Sequence, residues 1–302
     1  MQEKNMTALV SCFARAYHYE SNEYKIFSDN LAKELLTQEE YQNISKNMEE
    51  GISFFNKDFT GTKEEALRWI VNENLSPQVL GRSAFCESSL KRAISLGTHQ
   101  YLLFASGYDT FAYRYNKNNL TIFEIDTKTM IEDKIKRLQK ANLDYHQVNY
   151  IKCDFTKDNL KELIINSNYQ KDKLSFSSLL GLTYYLTKED FTNLINSISK
   201  LVLPGSTIVF DYPNKETCPK QAIITKLANS LNENMLATYT YQDIEEILSN
   251  NDFLIYKHLN SKELTNNYFD TYNTLNPNNK IIAPTGVSYC LAVKNPKHKN
   301  NL

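Results

Sequence analysis

The sequence predicts an α/β fold in which a helical N-terminal region precedes a mostly parallel, seven-stranded sheet. Residues 1–95 contain amphipathic helical patterns and no convincing strand. From Gln100 onwards, short apolar runs alternate with amphipathic segments, which is typical of a parallel sheet with right-handed crossovers. Two late apolar runs with only an irregular segment between them predict a closing hairpin. We therefore expect a helical cap at 1–95 and a core at 96–302 that carries an insertion around 213–250.

The elements follow in order from the periodicity of the apolar residues. The predicted cap helices are Thr7–Tyr19, Ser28–Leu36, Gln38–Ser45, Lys63–Asn74 and Ser83–Ile94. The predicted parallel strands are Gln100–Phe104, Thr121–Ile125, Tyr150–Cys153, Leu174–Leu180 and Thr207–Phe210. The helices predicted between them lie near Thr127–Lys140, Asp158–Ile165 and Lys188–Lys200. After residue 213 we expect helices Pro219–Asn232 and Tyr241–Ser249, then strands Phe253–His258 and Val287–Val293.

Composition excludes several classes of protein. The chain has 302 residues, of which 41% are hydrophobic, so it can bury a sizeable core. Its net charge of −1, with both signs mixed along the chain, argues against nucleic acid or a membrane surface as the main partner. The five cysteines are widely spaced and form no Cys-x-x-Cys pair, so we expect neither a disulfide framework nor a metal site. No signal peptide and no run of about 18 apolar residues is recognised, so we expect a cytoplasmic protein.

The loop after the first predicted strand, Ala105-Ser-Gly-Tyr-Asp-Thr110, is the most informative part of the chain. Small residues let the backbone turn sharply and bring its amides close to a ligand. The loop has one glycine, so it lacks the G-x-G-x-x-G pattern that a dinucleotide requires, and a ligand without phosphate such as S-adenosylmethionine fits better. Asp126 ends the next strand about 20 residues further on, where a carboxylate can accept from both ribose hydroxyls.

Other candidate residues also follow strands, at the edge where open α/β sheets bind ligands. Asp154 and Phe155 follow the third strand, and residues 180–187 follow the fourth. An alternative for Asp126 and Asp154 is that each caps the following helix. Three tyrosines at strand ends could line a pocket, and we expect one of them to do so rather than all; they are Tyr184, Tyr185 and Tyr212.

Several segments resemble the leucine carboxyl methyltransferase and polyketide O-methyltransferase family. The segment Phe104-Ala-Ser-Gly-Tyr-Asp-Thr-Phe-Ala-Tyr-Arg114 is similar to the family's "LGAGxDTxxxR" signature, and Phe123-Glu-Ile-Asp126 with Lys134 or Lys136 to its "fEvD…K" element. Arg82 with Glu87 resembles the "R…D" helix, and Leu180-Gly-Leu-Thr-Tyr-Tyr-Leu-Thr187 the "eGvxxYLt" segment. The resemblance covers roughly residues 7–213, with a looser match at Gly286-Val-Ser-Tyr289. It implies a class I methyltransferase fold, which is Rossmann-like, with S-adenosylmethionine as cofactor.

The resemblance also implies a role for individual residues. Arg82 is expected to pair with the methionine carboxylate, and Ala105 and Gly107 to pass under the methionine moiety. Asp126 is expected to take the ribose hydroxyls. Asp154 and Phe155 are expected to hold adenine, and Leu180 to contribute its backbone only, because many members have Glu at that position. Ala105 and Ser106 also depart from the family's Gly and Ala, but no required charge is lost.

Three further residues have plainer expected roles. Arg114 is expected to pair with Asp109 and brace the loop rather than to touch the substrate. His18 is the only histidine with some chance of lying near the substrate. Cys153 is expected to pack in the core.

The absence of a persuasive His–Asp or Cys–His pair favours an acceptor that needs no general base. A carboxylate is ionised at neutral pH and needs mainly alignment and desolvation. The sequence therefore favours methyl-ester formation on a carboxylate of a peptide, a protein or a natural-product acid. The alternatives are O-methylation of a hydroxyl on a polyketide-like metabolite and, more distantly, a non-catalytic adenosyl-ligand-binding protein. The oligomeric state is left open.

Overall fold

The computed structural model describes residues 6–115, 119–155, 157–216 and 236–295. Seven strands form one sheet in the order β3-β2-β1-β4-β5-β7-β6. The strands are β1 (Gln100–Phe104), β2 (Thr121–Asp126), β3 (Val148–Lys152), β4 (Ser175–Leu179), β5 (Thr207–Pro213), β6 (Phe253–Leu259) and β7 (Val287–Lys294). The first five are parallel, whereas β7 runs antiparallel to both β5 and β6. The predicted mostly parallel sheet and its closing antiparallel pair are confirmed.

Helices cover both faces of the sheet, and five described α-helices precede β1. They are α1 (Met6–Ser21), α2 (Gln38–Glu50), α3 (Ile52–Phe55), α4 (Lys63–Ile70) and α5 (Ser76–Ser95). A π-helical stretch, Val71–Leu75, joins α4 directly to α5, so the predicted break between these two helices is wrong. The long α5 packs on β4, β5 and β7 and carries Arg82 to the sheet.

The predicted helix Ser28–Leu36 is reduced to the 3-10 turn Ala32–Leu35. Tertiary contacts of Asp29 explain the difference. The Asp29 carboxylate is buried and accepts hydrogen bonds from Arg15 Nε at 2.8 Å and Thr110 Oγ1 at 2.6 Å. Burying a carboxylate is tolerable only with such partners, and they hold this segment against α1 in an irregular conformation.

The helices after β1 match the alternation expected of a parallel sheet. They are α6 (Phe111–Arg114), α7 (Lys128–Lys140), α8 (Leu160–Ile165), α9 (Lys188–Leu201) and α10 (Tyr241–Ser249). The predicted helix Pro219–Asn232 lies outside the described residues. The sequence predicts an irregular segment between β6 and β7, but the segment contains α11 (Ser261–Leu264), a π-helical turn and α12 (Asp270–Leu275). Its buried Leu264 and Phe269 pack against the sheet, which stabilises helical turns with a weak sequence signal.

Alternation along the central strands decides which residues reach which layer. On β1, Leu102 and Phe104 pack in the cluster beneath α8, α9 and α10, whereas Tyr101 and Leu103 pack in the cluster beneath α5. The same alternation places Asp211 of β5 on the α5 face. None of the helices in the described part of the chain is long and apolar enough to cross a membrane.

Candidate functional site

The loop after β1 turns sharply at two residues in the left-handed region, Ala105 at φ 49° and Gly107 at φ 46°. The left-handed region costs a non-glycine residue about 1 kcal/mol, so Ala105 is held there against its preference. The amide of Gly107 donates to Asp126 Oδ2 at 2.8 Å, which ties the loop to the end of β2. The loop backbone therefore lies across the carboxyl ends of β1 and β2, as the sequence predicts.

Asp126 is 9% exposed and lies at the C-terminal end of β2. Burial raises the pKa of its carboxyl, while the amides of Gly107 and Thr127, which donate to its two oxygens, act in the opposite direction. A carboxylate has about four acceptor positions, so acceptor capacity remains for a ligand. The helix-cap alternative for Asp126 is wrong, because the side chain of Thr127 accepts from Met130 N and caps α7.

A buried ion pair joins α7 to β2 near Asp126. Lys134 Nζ lies 2.7 Å from Glu124 Oε2, and neither side chain is exposed. The hydroxyl of Tyr113 donates to the other oxygen of Glu124. Of the two lysines that the family resemblance offers, Lys134 and not Lys136 therefore pairs with an acid of β2.

Asp154 and Phe155 follow β3 at the same edge of the sheet, and both are half-buried. The Asp154 carboxylate pairs with Lys157 Nζ at 2.8 Å, and the Phe155 ring lies 6.2 Å from the ring of Phe104, centroid to centroid. The side chain of Asn159 caps α8, so Asp154 does not cap that helix. Neighbouring Cys153 is buried in the core, as expected.

The loop after β4 and the C-terminal part of β5 meet at Arg82. Gly181, at φ 67°, donates its amide to Asp211 Oδ1 at 2.7 Å. Arg82 Nη1 lies 3.8 Å from Asp211 Oδ2, and Arg82 Nη2 donates to Ser11 Oγ. A Cβ on Gly181 would come within 2.5 Å of Arg82 Nη1, so the guanidinium lies directly against this loop. Half-buried Leu180 precedes it.

The three candidate tyrosines are not brought together. The buried Tyr184 hydroxyl donates to Asp211 Oδ2 at 2.9 Å and accepts from Gln78 Nε2, so Tyr184 lies beside Arg82. Tyr185 is half-buried next to it. Tyr212 follows Asp211 in β5 and points to the opposite face of the sheet, where its hydroxyl bonds to His258 Nε2 at 2.7 Å.

Arg114 does not form the predicted pair with Asp109. It pairs with Glu87 and lies 3.4 Å from Asp29, because both carboxylates reach it from the cap. Asp109 instead accepts from the amide of Phe111 at 2.7 Å. Arg114 still braces the loop, since its Nε donates to Thr110 Oγ1.

His18 has a structural position in the cap. It is 1% exposed, and its Nε2 accepts from the amide of Ile26 at 2.9 Å. Burial lowers its pKa to about 4. Its basic nitrogen is therefore occupied by the backbone.

Sequence reasoning missed Asp211, which is fully buried between Gly181, Tyr184 and Arg82. The predicted strand ends at Phe210 and Asp211 follows it directly, just as Asp126 directly follows the predicted strand Thr121–Ile125. That position is the available signal, because the same position identifies Asp126. No group of three or more His, Cys, Asp or Glu side chains that could hold a metal is found within the described ranges.

Comparison with known proteins decides the family. A family model described as leucine carboxyl methyltransferase matches residues 8–199. The chain belongs to this family. It is also 35% identical over 305 residues to a Bacillus subtilis protein named "Putative S-adenosyl-L-methionine-dependent methyltransferase YktD", covering 97% of this chain and 98% of that protein. The protein is thus an S-adenosylmethionine-dependent methyltransferase.

Solved structures show the same fold. A crystal structure of a "putative methyltransferase" from Thermobifida fusca aligns with a TM-score of 0.55 at 14% identity, covering 95% of this chain and 94% of that one. A DUF574 family protein from Streptomyces avermitilis aligns with a TM-score of 0.54 at 11% identity, covering 94% and 97%. The predicted class I methyltransferase fold is confirmed.

Proposed function

We propose that this methyltransferase forms a methyl ester on a carboxylate of its acceptor, either the C-terminal carboxylate of a peptide or protein or a natural-product acid. The name of the matching family, leucine carboxyl methyltransferase, supports a carboxylate. The observation that carries the proposal is the hydrogen bonding of Tyr184, whose buried hydroxyl lies beside Arg82. It already donates to Asp211, and it is poorly suited to act as a general base.

The residues at the sheet edge fit S-adenosylmethionine. Asp126 retains acceptor capacity for the ribose hydroxyls, and Arg82, which lies against the loop after β4, offers a cation to the methionine carboxylate. The left-handed conformation of Ala105 and Gly107 makes the sharp turn that would let the loop backbone approach the methionine moiety closely. We assign these four residues to the ribose and amino-acid ends of the cofactor.

The remaining cofactor contacts belong to adenine and the loop after β4. The half-buried ring of Phe155 offers an apolar face, and Asp154 offers an acceptor at the end of β3. Leu180 contributes backbone, because its side chain packs into the hydrophobic cluster beneath α5. These assignments place the two ends of the cofactor on different strands, as is usual for open α/β sheets.

The pKa shifts of Tyr184 and His18 support a carboxylate acceptor. Burial raises the pKa of Tyr184 well above its ordinary value, and the carboxylate of Asp211 adds to the effect. His18 is held neutral, with its Nε2 occupied by a backbone amide. When bound, S-adenosylmethionine supplies an activated methyl group. The protein then has to align an already ionised acceptor and exclude water, and it need not remove a proton.

The test uses methyl-labelled S-adenosylmethionine with candidate acceptors, including peptides with free and with amidated C-termini and small natural-product acids. We expect labelled product that releases methanol under mild alkali and returns to the mass of the acceptor. Base-stable label on a hydroxyl would favour the polyketide-like alternative instead. Methylation of the amidated peptides would exclude the C-terminal carboxylate, and cofactor binding without transfer to any acceptor would favour a non-catalytic role.

A further inference from the structure

The hydroxyl of Tyr289 is buried beside the Arg82 site without a hydrogen-bond partner. Tyr289 lies on β7, is 0% exposed, and its Oη has no partner within the part of the chain that the structure describes. A buried hydroxyl without a partner is less stable than the phenylalanine that could replace it. The chain nevertheless keeps the hydroxyl here, which points to a partner that is present only in another state.

The surroundings of the hydroxyl identify that partner. In the register of β5 and β7, Tyr289 is directly opposite Asp211, so both side chains lie on the α5 face. A Cβ on Gly81 would lie 3.5 Å from Tyr289 Oη, which places the hydroxyl against the backbone that immediately precedes Arg82. Tyr289 therefore lies between Asp211 and the helix that carries Arg82.

Asp211 has room for another donor. Its two oxygens accept from Gly181 N and from the Tyr184 hydroxyl, at 2.7 and 2.9 Å. Arg82 Nη1 lies 3.8 Å away, which is within ion-pair distance but too long for a hydrogen bond. If Arg82 turns to a ligand carboxylate, Asp211 loses part of its compensating charge while it remains fully buried. Such a loss is costly unless another donor replaces it.

We propose that Tyr289 is a positioning residue for cofactor binding, whose hydroxyl donates to Asp211 when Arg82 pairs with the carboxylate of S-adenosylmethionine. The hydroxyl keeps the buried carboxylate satisfied and so lowers the cost of releasing Arg82 to the ligand. The role rests on the proposed pairing of Arg82 with the cofactor carboxylate and is independent of the acceptor. It also extends the site to β7, beyond the residues 8–199 that match the family.

The test is Tyr289→Phe, which keeps the ring and its edge contact with Phe85. Calorimetry measures binding of S-adenosylhomocysteine, which carries the carboxylate, and of methylthioadenosine, which lacks it. We expect the dissociation constant for S-adenosylhomocysteine to rise roughly tenfold or more, equivalent to about 1.5 kcal/mol or more for one hydrogen bond to a charged carboxylate, with that for methylthioadenosine unchanged. The melting temperature without ligand should not fall, because the hydroxyl has no partner in the described structure.

The matched control is Tyr239→Phe. Tyr239 is also 0% exposed with an unpartnered hydroxyl in the described structure, but it packs on Phe191 and Tyr212 on the opposite face of the sheet. Its substitution should leave the affinities for both ligands unchanged. A comparable loss in this variant would overturn the proposal.

Four further outcomes separate the possibilities. Equal weakening of both ligands by Tyr289→Phe would show a purely structural role and overturn the proposal, as would no weakening of either. If Arg82→Ala also fails to discriminate between the ligands, the carboxylate pairing itself is wrong. If Arg82→Ala discriminates and Tyr289→Phe does not, only the role of Tyr289 fails. Methyl-ester formation is measured in a separate experiment, with methyl-labelled S-adenosylmethionine and the candidate acceptors.

Discussion

Two buried carboxylates at the carboxyl edge of the sheet have the same local geometry and different surroundings. Asp126 ends β2 and accepts the amide of Gly107 from the loop after β1, at 2.8 Å. Asp211 lies near the end of β5 and accepts the amide of Gly181 from the loop after β4, at 2.7 Å. Both glycines have positive φ. Each acid therefore holds the loop that follows the neighbouring strand.

The difference lies in what else reaches each carboxylate. No Arg, Lys or His among the described residues lies within salt-bridge distance of Asp126. Asp211, in contrast, accepts from the Tyr184 hydroxyl and lies 3.8 Å from Arg82. Asp126 thus keeps its remaining acceptor capacity for a ligand. The Asp211 carboxylate instead interacts with other residues of the protein, and it holds Arg82 against the loop at Gly181. An acid that accepts a loop amide can therefore either contact a ligand directly, as we propose for Asp126, or hold the residue that contacts the ligand, as we propose for Asp211 and Arg82.

The largest effect that tests this comparison is expected from Asp126→Ala. The substitution removes the proposed acceptor of two ribose hydroxyls, each worth on the order of 1.5–3 kcal/mol as a charge-assisted bond, so the affinity for S-adenosylhomocysteine should fall roughly a hundredfold or more. Calorimetry measures the loss, and circular dichroism should show a retained fold. An unchanged dissociation constant would mean that Asp126 only holds the loop, as Asp211 does.

Arg82→Ala is expected to have the next largest effect. Loss of the proposed charge-assisted contact to the methionine carboxylate should weaken S-adenosylhomocysteine binding roughly tenfold or more. Methylthioadenosine, which lacks that carboxylate, should bind nearly as before, and calorimetry with the two ligands measures the difference. Arg68→Ala is the control, because Arg68 is exposed and pairs with Glu64 one helical turn away. Equal losses for the two ligands would point to a displaced α5.

Gly181→Ala is expected to have the smallest effect, and it sharpens the comparison because it disturbs Arg82 without changing a charge. Its φ of 67° strains any other residue by about 1 kcal/mol, and its Cβ would lie 2.5 Å from Arg82 Nη1. We expect a lower melting temperature and several-fold weaker binding of S-adenosylhomocysteine.

Gly97→Ala separates strain from displacement of Arg82. Gly97 has a φ of 97°, but a Cβ there would meet nothing within 4 Å. It should lower the melting temperature with no change in ligand affinity. If Gly181→Ala behaves in the same way as Gly97→Ala, contact with that loop does not determine the position of Arg82.

The sequence by itself determined the sheet and the Asp126 side of the site. Apolar runs and the helices between them identified all seven strands to within a few residues, because burial of the central strands on both faces leaves short continuous apolar runs. The loop at Ala105 and the acid at Asp126 follow local rules of turn and strand-end chemistry, which act over a few residues. Both can therefore be located from the order of the amino acids alone.

Only the tertiary structure decided the partners of buried charges. Arg114 pairs with Glu87 and Asp29 instead of nearby Asp109, the segment around Asp29 loses its predicted helix, and Asp211 contacts Arg82 and Tyr184 and lies opposite Tyr289 on the neighbouring strand. These contacts bring together residues that are far apart in the chain. A buried charge takes whichever partner the packing of whole elements delivers, and periodicity within one element carries no information about that packing.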